Sequence, residues 1–155
     1  SSAASDVYKR QTLRKAETVL VGPTGERNSL SWRSPERVWV HGGNLLQAFS
    51  ALTELAAAGI QTVVEPNSPL ASYSADLDGL LQVNSKPENT GISHVAAIEP
   101  LSSERKQELA GRDGALIRIL PSEQGLDILQ VFEEISCSIN TTAAGGNASL
   151  MAVAD

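Results

Sequence analysis

RVWVHGGNLLQAFSALTELAAAGIQTVV, residues 37–64, is the stretch that decides the fold. Its first five residues are rich in β-formers and predict a strand, and residues 60–64, IQTVV, predict a second one. Asn44 is placed to cap a helix between them, and Gly59 is placed to end it. The apolar residues of that segment recur at i, i+3, i+4 and i+7, which predicts an amphipathic helix with one buried stripe: Leu45, Ala48, Phe49, Leu52, Leu55 and Ala56.

A strand, a helix of about 15 residues and a second strand form a βαβ unit, which favours parallel pairing. The same alternation continues less clearly through the chain. Further strands are predicted at residues 80–83, 92–98, 115–120 and 135–139, and further helices at 70–76, 102–110 and 126–132. The predicted fold class is therefore α/β, an open and mostly parallel sheet with flanking helices.

Composition narrows the classes of function. The chain has 155 residues, about one domain, with a net charge of −6. An acidic chain does not suit binding to a nucleic-acid backbone, which needs clustered Lys and Arg, and it does not suit a basic membrane-binding face. No apolar run approaches the ~20 residues of a membrane span. The sequence therefore predicts no nucleic-acid partner and no membrane span.

The two histidines and a glycine pair are the candidates for chemistry in the α/β region. His41 ends a predicted strand, and ligands of α/β sheets bind at that edge. Gly42 and Gly43 follow it where nucleotide-binding loops occur, but neither G-x-G-x-x-G nor G-x-x-x-x-G-K-[ST] is present, so a tight turn is the simpler interpretation. Nothing in the spacing of His41, His94 and Glu65 supports a shared metal ion.

Cys137 is the single cysteine, so an intrachain disulfide and a cysteine-based zinc site are excluded. A thiol nucleophile would need an activating base or a positive neighbourhood. Cys137 alternates with Ile135 and Ile139, which predicts that it lies on the core face of a half-buried strand.

Two long motifs frame the α/β region. The first is GPTGERN (Gly22, Pro23, Thr24, Gly25, Glu26, Arg27 and Asn28), and the second is SINTTAAGGNASLM, residues 138–151. Both resemble signatures of the bacterial proline utilization protein A family, and AGRDGA, residues 110–115, also looks like a family segment. The resemblance covers about residues 12–151. It is weaker over residues 68–99.

The resemblance implies a parent polypeptide with two activities. One part oxidises proline to pyrroline-carboxylate with FAD, another oxidises glutamate semialdehyde to glutamate with NAD, and the intermediate passes through an internal channel. Longer members of the family carry an additional C-terminal domain that resembles a vestigial Rossmann-like domain of aldehyde dehydrogenases. That domain supports the dehydrogenase, and the final motif helps to seal the channel. This segment, taken alone, is expected to lack catalytic residues, cofactor-binding residues and activity.

On this basis the chain divides into four parts. Residues 1–11 are a tail that does not look native, 12–28 end the aldehyde dehydrogenase domain and form a junction, 29–139 form the C-terminal α/β module, and 140–155 are a docking motif. The predicted partner is the aldehyde dehydrogenase domain of the same polypeptide. The residues to which the resemblance gives a docking and channel-sealing role are Asn140, Thr141, Thr142, Gly145, Gly146, Asn147, Leu150 and Met151.

Two other functions stay open at this point. One is an independent nucleotide-binding or enzymatic α/β domain that uses His41, Gly42 and Gly43, and the other is an oligomerisation module. The resemblance also leaves open a homo-oligomer of the parent. It implies a bacterial cytoplasmic location and allows peripheral contact of the parent with the inner membrane.

Overall fold

The computed structural model describes residues 17–140. It contains a five-stranded parallel sheet, a three-stranded antiparallel sheet and two α-helices. Three single-turn 3-10 helices lie in the connections, at Ala71–Tyr73, Pro87–Asn89 and Ile128–Val131. The elements in chain order are β1 (Thr18–Leu20), β2 (Glu26–Arg33), β3 (Arg37–His41), α1 (Leu45–Ala57), β4 (Gln61–Val64), β5 (Leu81–Val83), β6 (His94–Ala97), α2 (Ser103–Gly111), β7 (Arg118–Pro121) and β8 (Glu133–Asn140).

The parallel sheet has the strand order β5-β4-β3-β6-β7. The chain enters this sheet at the central strand β3, continues outward through β4 and β5, and then returns to the other side of β3 with β6 and β7. The order therefore reverses between β3 and β6, which makes this a doubly wound sheet with a switch point at its centre. The predicted fold class, an open and mostly parallel α/β sheet with flanking helices, is confirmed.

Local sequence sets the ends of α1 as predicted. Asn44 accepts a hydrogen bond from the Gln47 backbone N–H, and the Gln47 side chain accepts one from the Asn44 backbone, each at 3.0 Å. This reciprocal pair is a capping box. At the other end Gly59 has φ +70, and the N–H of Ile60 donates to the carbonyl of Leu55 at 2.9 Å, which closes the helix as a Schellman motif.

The parallel sheet has an apolar cluster on each face. The cluster on the α1 face is the larger and includes Val38, Leu55 and Val131, whereas the cluster on the α2 face centres on Trp39 with Val95 and Leu109. Adjacent strand residues alternate between the two clusters because successive side chains of a strand point to opposite faces.

The apolar stripe predicted for α1 is partly wrong. Ala48, Leu52 and Leu55 are buried, but Leu45 is 42% exposed and Phe49 is 46% exposed. The sheet contacts a narrower arc of the helix than its apolar residues cover, so the remaining apolar residues face outward. The helices predicted at 70–76 and 126–132 contain only single 3-10 turns.

Strands β1, β2 and β8 form a separate antiparallel sheet, here called the arm. β2 pairs with β8 over eight residue pairs, from Glu26 opposite Asn140 to Arg33 opposite Glu133. The strand predicted at 135–139 therefore exists within β8, but it belongs to the arm and not to the parallel sheet. Helical and β periodicity describe single segments, whereas this pairing joins segments about a hundred residues apart.

Candidate functional site

The carboxyl edge of the parallel sheet at the switch point is where a doubly wound domain binds its ligands. In this chain, the Gly42-Gly43 turn connects β3 to α1 there, with φ values of +72 and +85. Glycine adopts such values without the cost that a side chain would add. The predicted tight βα turn is confirmed.

The space beside this turn is filled by the side chains of the two residues that directly follow β6. A Cβ atom on Gly42 would lie 2.6 Å from Cβ of Glu99 and 2.9 Å from its Oε2. A Cβ atom on Gly43 would lie 2.6 Å from Cγ2 of Ile98. In a nucleotide-binding loop the glycines leave room for a pyrophosphate. Here a carboxylate and an isoleucine occupy the approach to both glycines.

A charged network lies at the same edge on the α2 face. His41, at the end of β3, has its Nδ1 3.0 Å from Oε2 of Glu65, which follows β4. The imidazole also meets the Trp39 ring edge-on, with centroids 5.3 Å apart. The ends of β3 and β4 position His41 and Glu65, since the carboxyl ends of parallel strands meet at one edge of the sheet.

Arg105 on α2 joins this network to the helix. Its Nη2 lies 2.8 Å from Oε2 of Glu88 and 3.8 Å from Oε1 of Glu65, and its Nη1 lies 2.8 Å from Oε2 of Glu108. The guanidinium also lies 5.1 Å from the centroid of the Trp39 ring. Cation–π contact and charge-assisted hydrogen bonds both stabilise this position.

The electrostatics of the network hold Arg105 charged. Partial burial acts to lower the pKa of Arg105, but the hydrogen bond to Glu108 and the negative charges of Glu88, Glu65 and Glu108 outweigh it, and the pKa is raised. Three carboxylates therefore surround one permanent cation. The arrangement suits the fixing of α2 against the strand ends.

His94 does not join His41 and Glu65. It begins β6 and pairs in register with Val38, whereas His41 pairs with Ala97 at the other end of the same strand. His94 is fully buried, its Nδ1 lies 2.7 Å from Oγ of Ser93, and its Nε2 has no hydrogen-bond partner in residues 17–140. Burial, and then the positive charge of Arg118, lower the pKa of His94, while Glu133 acts in the opposite direction.

No metal site is formed by the described part of the chain. Within residues 17–140, no group of three or more His, Cys, Asp and Glu side chains is placed to hold a metal ion. The same range contains no helix with the length and apolar character that crossing a membrane requires.

The motif predicted to form the junction lies in the arm. Residues 22–25 lie in the connection between β1 and β2, where the N–H of Glu26 donates to the carbonyl of Pro23 at 3.1 Å. Glu26, Arg27 and Asn28 begin β2. β2 then runs on to Arg33 without a break, across the predicted boundary between residues 28 and 29. The role of this motif as a junction stays a prediction.

The predicted docking motif begins in the same sheet. Asn140 ends β8 opposite Glu26, and Ser138 lies opposite Asn28. The other predicted docking residues lie outside the described residues: Thr141, Thr142, Gly145, Gly146, Asn147, Leu150 and Met151. The tail at 1–11 also lies outside them.

The prediction that Cys137 lies on the core face of a strand is wrong. Cys137 is exposed, opposite Ser29 in the arm. The alternation of Ile135, Cys137 and Ile139 is real, but nothing within residues 17–140 forms a core against this part of β8, where Ile139 is itself 52% exposed.

Sequence reasoning also missed the role of Trp39 and Arg105. The available signal was Glu65 directly after a strand, together with His41 at the end of the neighbouring one. Nothing in the sequence placed Arg105 beside Glu65 and over the Trp39 ring, because these contacts depend on how α2 lies across the sheet.

The fold and the carboxyl edge of the parallel sheet together define a doubly wound α/β module with an antiparallel arm. Side chains close the switch point of this module. No family model matches the chain. The chain is 30% identical over 149 residues to the bifunctional protein PutA of Escherichia coli (strain K12), and 29% identical over 150 residues to that of Klebsiella aerogenes. These matches cover 88% and 89% of this chain and 11% of each relative.

The chain is therefore similar to a segment of the bifunctional protein PutA, as the two motifs predicted, and it spans 11% of the length of the curated relatives it matches. Among solved structures, a mutant of Bradyrhizobium japonicum proline utilization A (PutA) has a TM-score of 0.49 at 20% identity, covering 72% of this chain and 14% of that one. A structure of PutA with proline bound in remote sites gives the same values.

Proposed function

We propose that this chain is a non-catalytic C-terminal module of a bifunctional proline-catabolic polypeptide. In that polypeptide it supports the L-glutamate γ-semialdehyde dehydrogenase domain and helps to seal the channel through which the intermediate passes. FAD and NAD would be bound by the parent polypeptide outside this segment. The similarity to PutA over 88% of the chain supports the assignment to this class of polypeptide.

The pairing of β2 with β8 is the observation that carries the proposal. It places the end of one family motif, Glu26 to Asn28, opposite the beginning of the other, Ser138 to Asn140. Eight consecutive residue pairs hold the two strands together. If residues 12–28 close the dehydrogenase domain, the arm places Asn140, where the predicted docking motif begins, beside that same domain.

The carboxyl edge also favours a non-catalytic role over nucleotide binding. A phosphate approaching the Gly42-Gly43 turn would meet the Glu99 carboxylate, which repels it, and the Ile98 side chain, which blocks it. Calorimetry with NAD, NADP, FAD and ATP at about millimolar concentration, where binding is worth only about −4 kcal/mol, tests this point. Measurable heat of binding would contradict it.

The proposal is tested by truncating the longer polypeptide after Asn140. This leaves β8 whole, whereas a deletion that begins at residue 29 would cut β2. We expect slower semialdehyde oxidation, or a lag before glutamate appears from proline. Unchanged activity and transit time would contradict the channel-sealing role.

Two glycine-to-valine substitutions, one in the docking motif and one outside it, provide a matched comparison. Gly146→Val is expected to disrupt docking of the C-terminal motif, because the proposed docking would bring two backbones close together and a side chain would then clash. Gly111→Val is the control, since Gly111 ends α2 and a Cβ atom there would have no neighbour within 4 Å. Only the first variant should show the lag in glutamate formation.

A further inference from the structure

The outward side of α1 carries a cluster of exposed apolar side chains. Leu45, Leu46 and Phe49 are 42%, 79% and 46% exposed, and Tyr73, from the connection after β4, is 42% exposed beside them. These four residues, here called the α1 patch, line a shallow depression of about 420 Å³. Contiguous exposed apolar side chains on a soluble domain mark an interaction surface.

The charge content of α1 points the same way. Among its thirteen residues only Glu54 is charged, and the exposed polar positions are the neutral Gln47, Ser50 and Thr53. A helix whose outer side faces water usually has charged residues there, whereas a helix that is apolar all round is covered on both sides. The parallel sheet covers one side of α1.

We propose that the α1 patch is a docking surface for an apolar surface of the longer polypeptide, separate from the docking motif at 140–155. The inference rests on the proposed function in one respect, namely that this chain is part of such a polypeptide. The contact would hold the module against its neighbour through α1, while the arm positions the C-terminal motif.

The size of the patch and the length of the relatives identify this occupant. The chain corresponds to 11% of each curated relative, so most of such a polypeptide lies outside it. A tethered partner has a high effective concentration, so a small apolar contact is sufficient. A free dimer of two copies needs about 800 Å² on each partner, far more than four side chains provide. The absence of charge on the exposed side of α1 disfavours a nucleic acid.

The test is Leu46→Glu in the longer polypeptide, read by hydrogen exchange of the α1 amides. Leu46 is the second residue of α1, where a negative charge favours the helix through its dipole. A local effect would therefore slow exchange, whereas loss of a buried leucine contact should speed it by about tenfold or more. Thr53→Glu, on the same helix but outside the patch, is the control and should leave exchange nearly unchanged.

Three outcomes would overturn the proposal. Slower or unchanged exchange in Leu46→Glu would mean that nothing covers the patch. Equal acceleration in Thr53→Glu would show a general effect of charge on the helix. Dissociation of an oligomer of the longer polypeptide by Leu46→Glu, seen by sedimentation, would identify a second copy as the occupant.

The result is separable from the channel-sealing proposal, because it measures contact and not activity. If truncation after Asn140 leaves catalysis unchanged while Leu46→Glu still exposes α1, channel sealing fails and the docking surface stands. If the truncation produces the lag and Leu46→Glu has no effect on exchange, the docking surface fails and channel sealing stands.

Discussion

Helices α1 and α2 cover opposite faces of one parallel sheet, yet they are held by different physical means. α1 has one charged residue in thirteen and packs on a cluster of seventeen buried residues. α2 has four charged residues in nine and packs on a cluster of seven. The face of the sheet that α2 covers also carries the ionic network of Arg105. The α1 face is therefore held by apolar burial, and the α2 face by burial together with fixed charges.

The difference separates a contact surface from a solvent surface. On α2 the exposed residues are charged or polar except for Ala110 and Gly111 at its C-terminal end, as expected for a helix that faces water on its outer side. On α1 the exposed residues include two leucines and a phenylalanine. One helix therefore has a charged outer side suited to water, and the other has an uncharged, partly apolar outer side. The module thus has a defined side on which a neighbour can pack.

The largest expected effect comes from removing one leucine on each face. Leu55→Ala should lower the free energy of unfolding by about 3–5 kcal/mol, because Leu55 is fully buried in the larger cluster. Leu109→Ala should cost about 2–3 kcal/mol, since fewer neighbours surround the cavity. Urea unfolding of both variants measures the difference. An equal or greater loss for Leu109→Ala would contradict the unequal division of the core.

The next comparison is between two glycines with positive φ, one in the turn that precedes α1 and one in an open loop. Gly42→Ala forces a positive φ on an L-residue, at a cost of about 1–2 kcal/mol, and adds a Cβ atom against Glu99. Gly79→Ala meets the same strain at φ +78 but no neighbour within 4 Å. We expect the first to cost about 2–3 kcal/mol and the second about 1. Equal unfolding energies would mean that Glu99 moves away freely and the edge is open.

Charge should matter on α2 alone. Arg105→Met removes the partner of two partly buried carboxylates, Glu65 and Glu88, and should cost about 1–2 kcal/mol. Lys106→Met, at the next and exposed position, should change stability by less than about 0.5 kcal/mol. The two variants are compared by thermal unfolding at low and high salt. A similar, small effect for both would show that the network contributes nothing to holding α2.

The sequence predicted what depends on neighbouring residues. The βαβ unit, the Asn44 cap and the Gly59 stop follow from patterns of a few residues, and the structure confirms them. The arm could not be predicted in this way, because residues 26–33 pair with residues 133–140, and every strand of the parallel sheet lies between them in the sequence.

Burial was predicted less well than secondary structure. The alternation around Cys137 was correct for a strand, but periodicity does not say whether a core faces either side. For α1 the apolar pattern was correct, but the predicted buried stripe was too wide, as the exposure of Phe49 shows. The Arg105 network was missed for the related reason that its members come from four separate segments.

The smallest effect concerns a buried polar group on the α1 face. His94 lies in register with Val38, whose side chain belongs to the α1-face cluster, and its Nε2 is buried without a partner in residues 17–140. Burial first, and Arg118 second, hold its pKa below the ordinary value of 6.5, against the opposing charge of Glu133. In the folded chain His94 is therefore neutral near pH 7.

A lowered pKa means that the unfolded chain binds the proton more readily. The stability contributed by neutral His94 is fully present above about pH 6.5 and is lost as the pH falls from there through the folded pKa. His94→Gln should remove this pH dependence, which is at most about 1.4 kcal/mol per pH unit for one proton. His41→Gln is the control for the other histidine, which is half-buried beside Glu65 at the carboxyl edge. Unfolding by urea at about pH 7.5 and about pH 5.5 measures both variants. If His94→Gln keeps the full loss of stability in acid, the buried imidazole is not the group that takes up the proton.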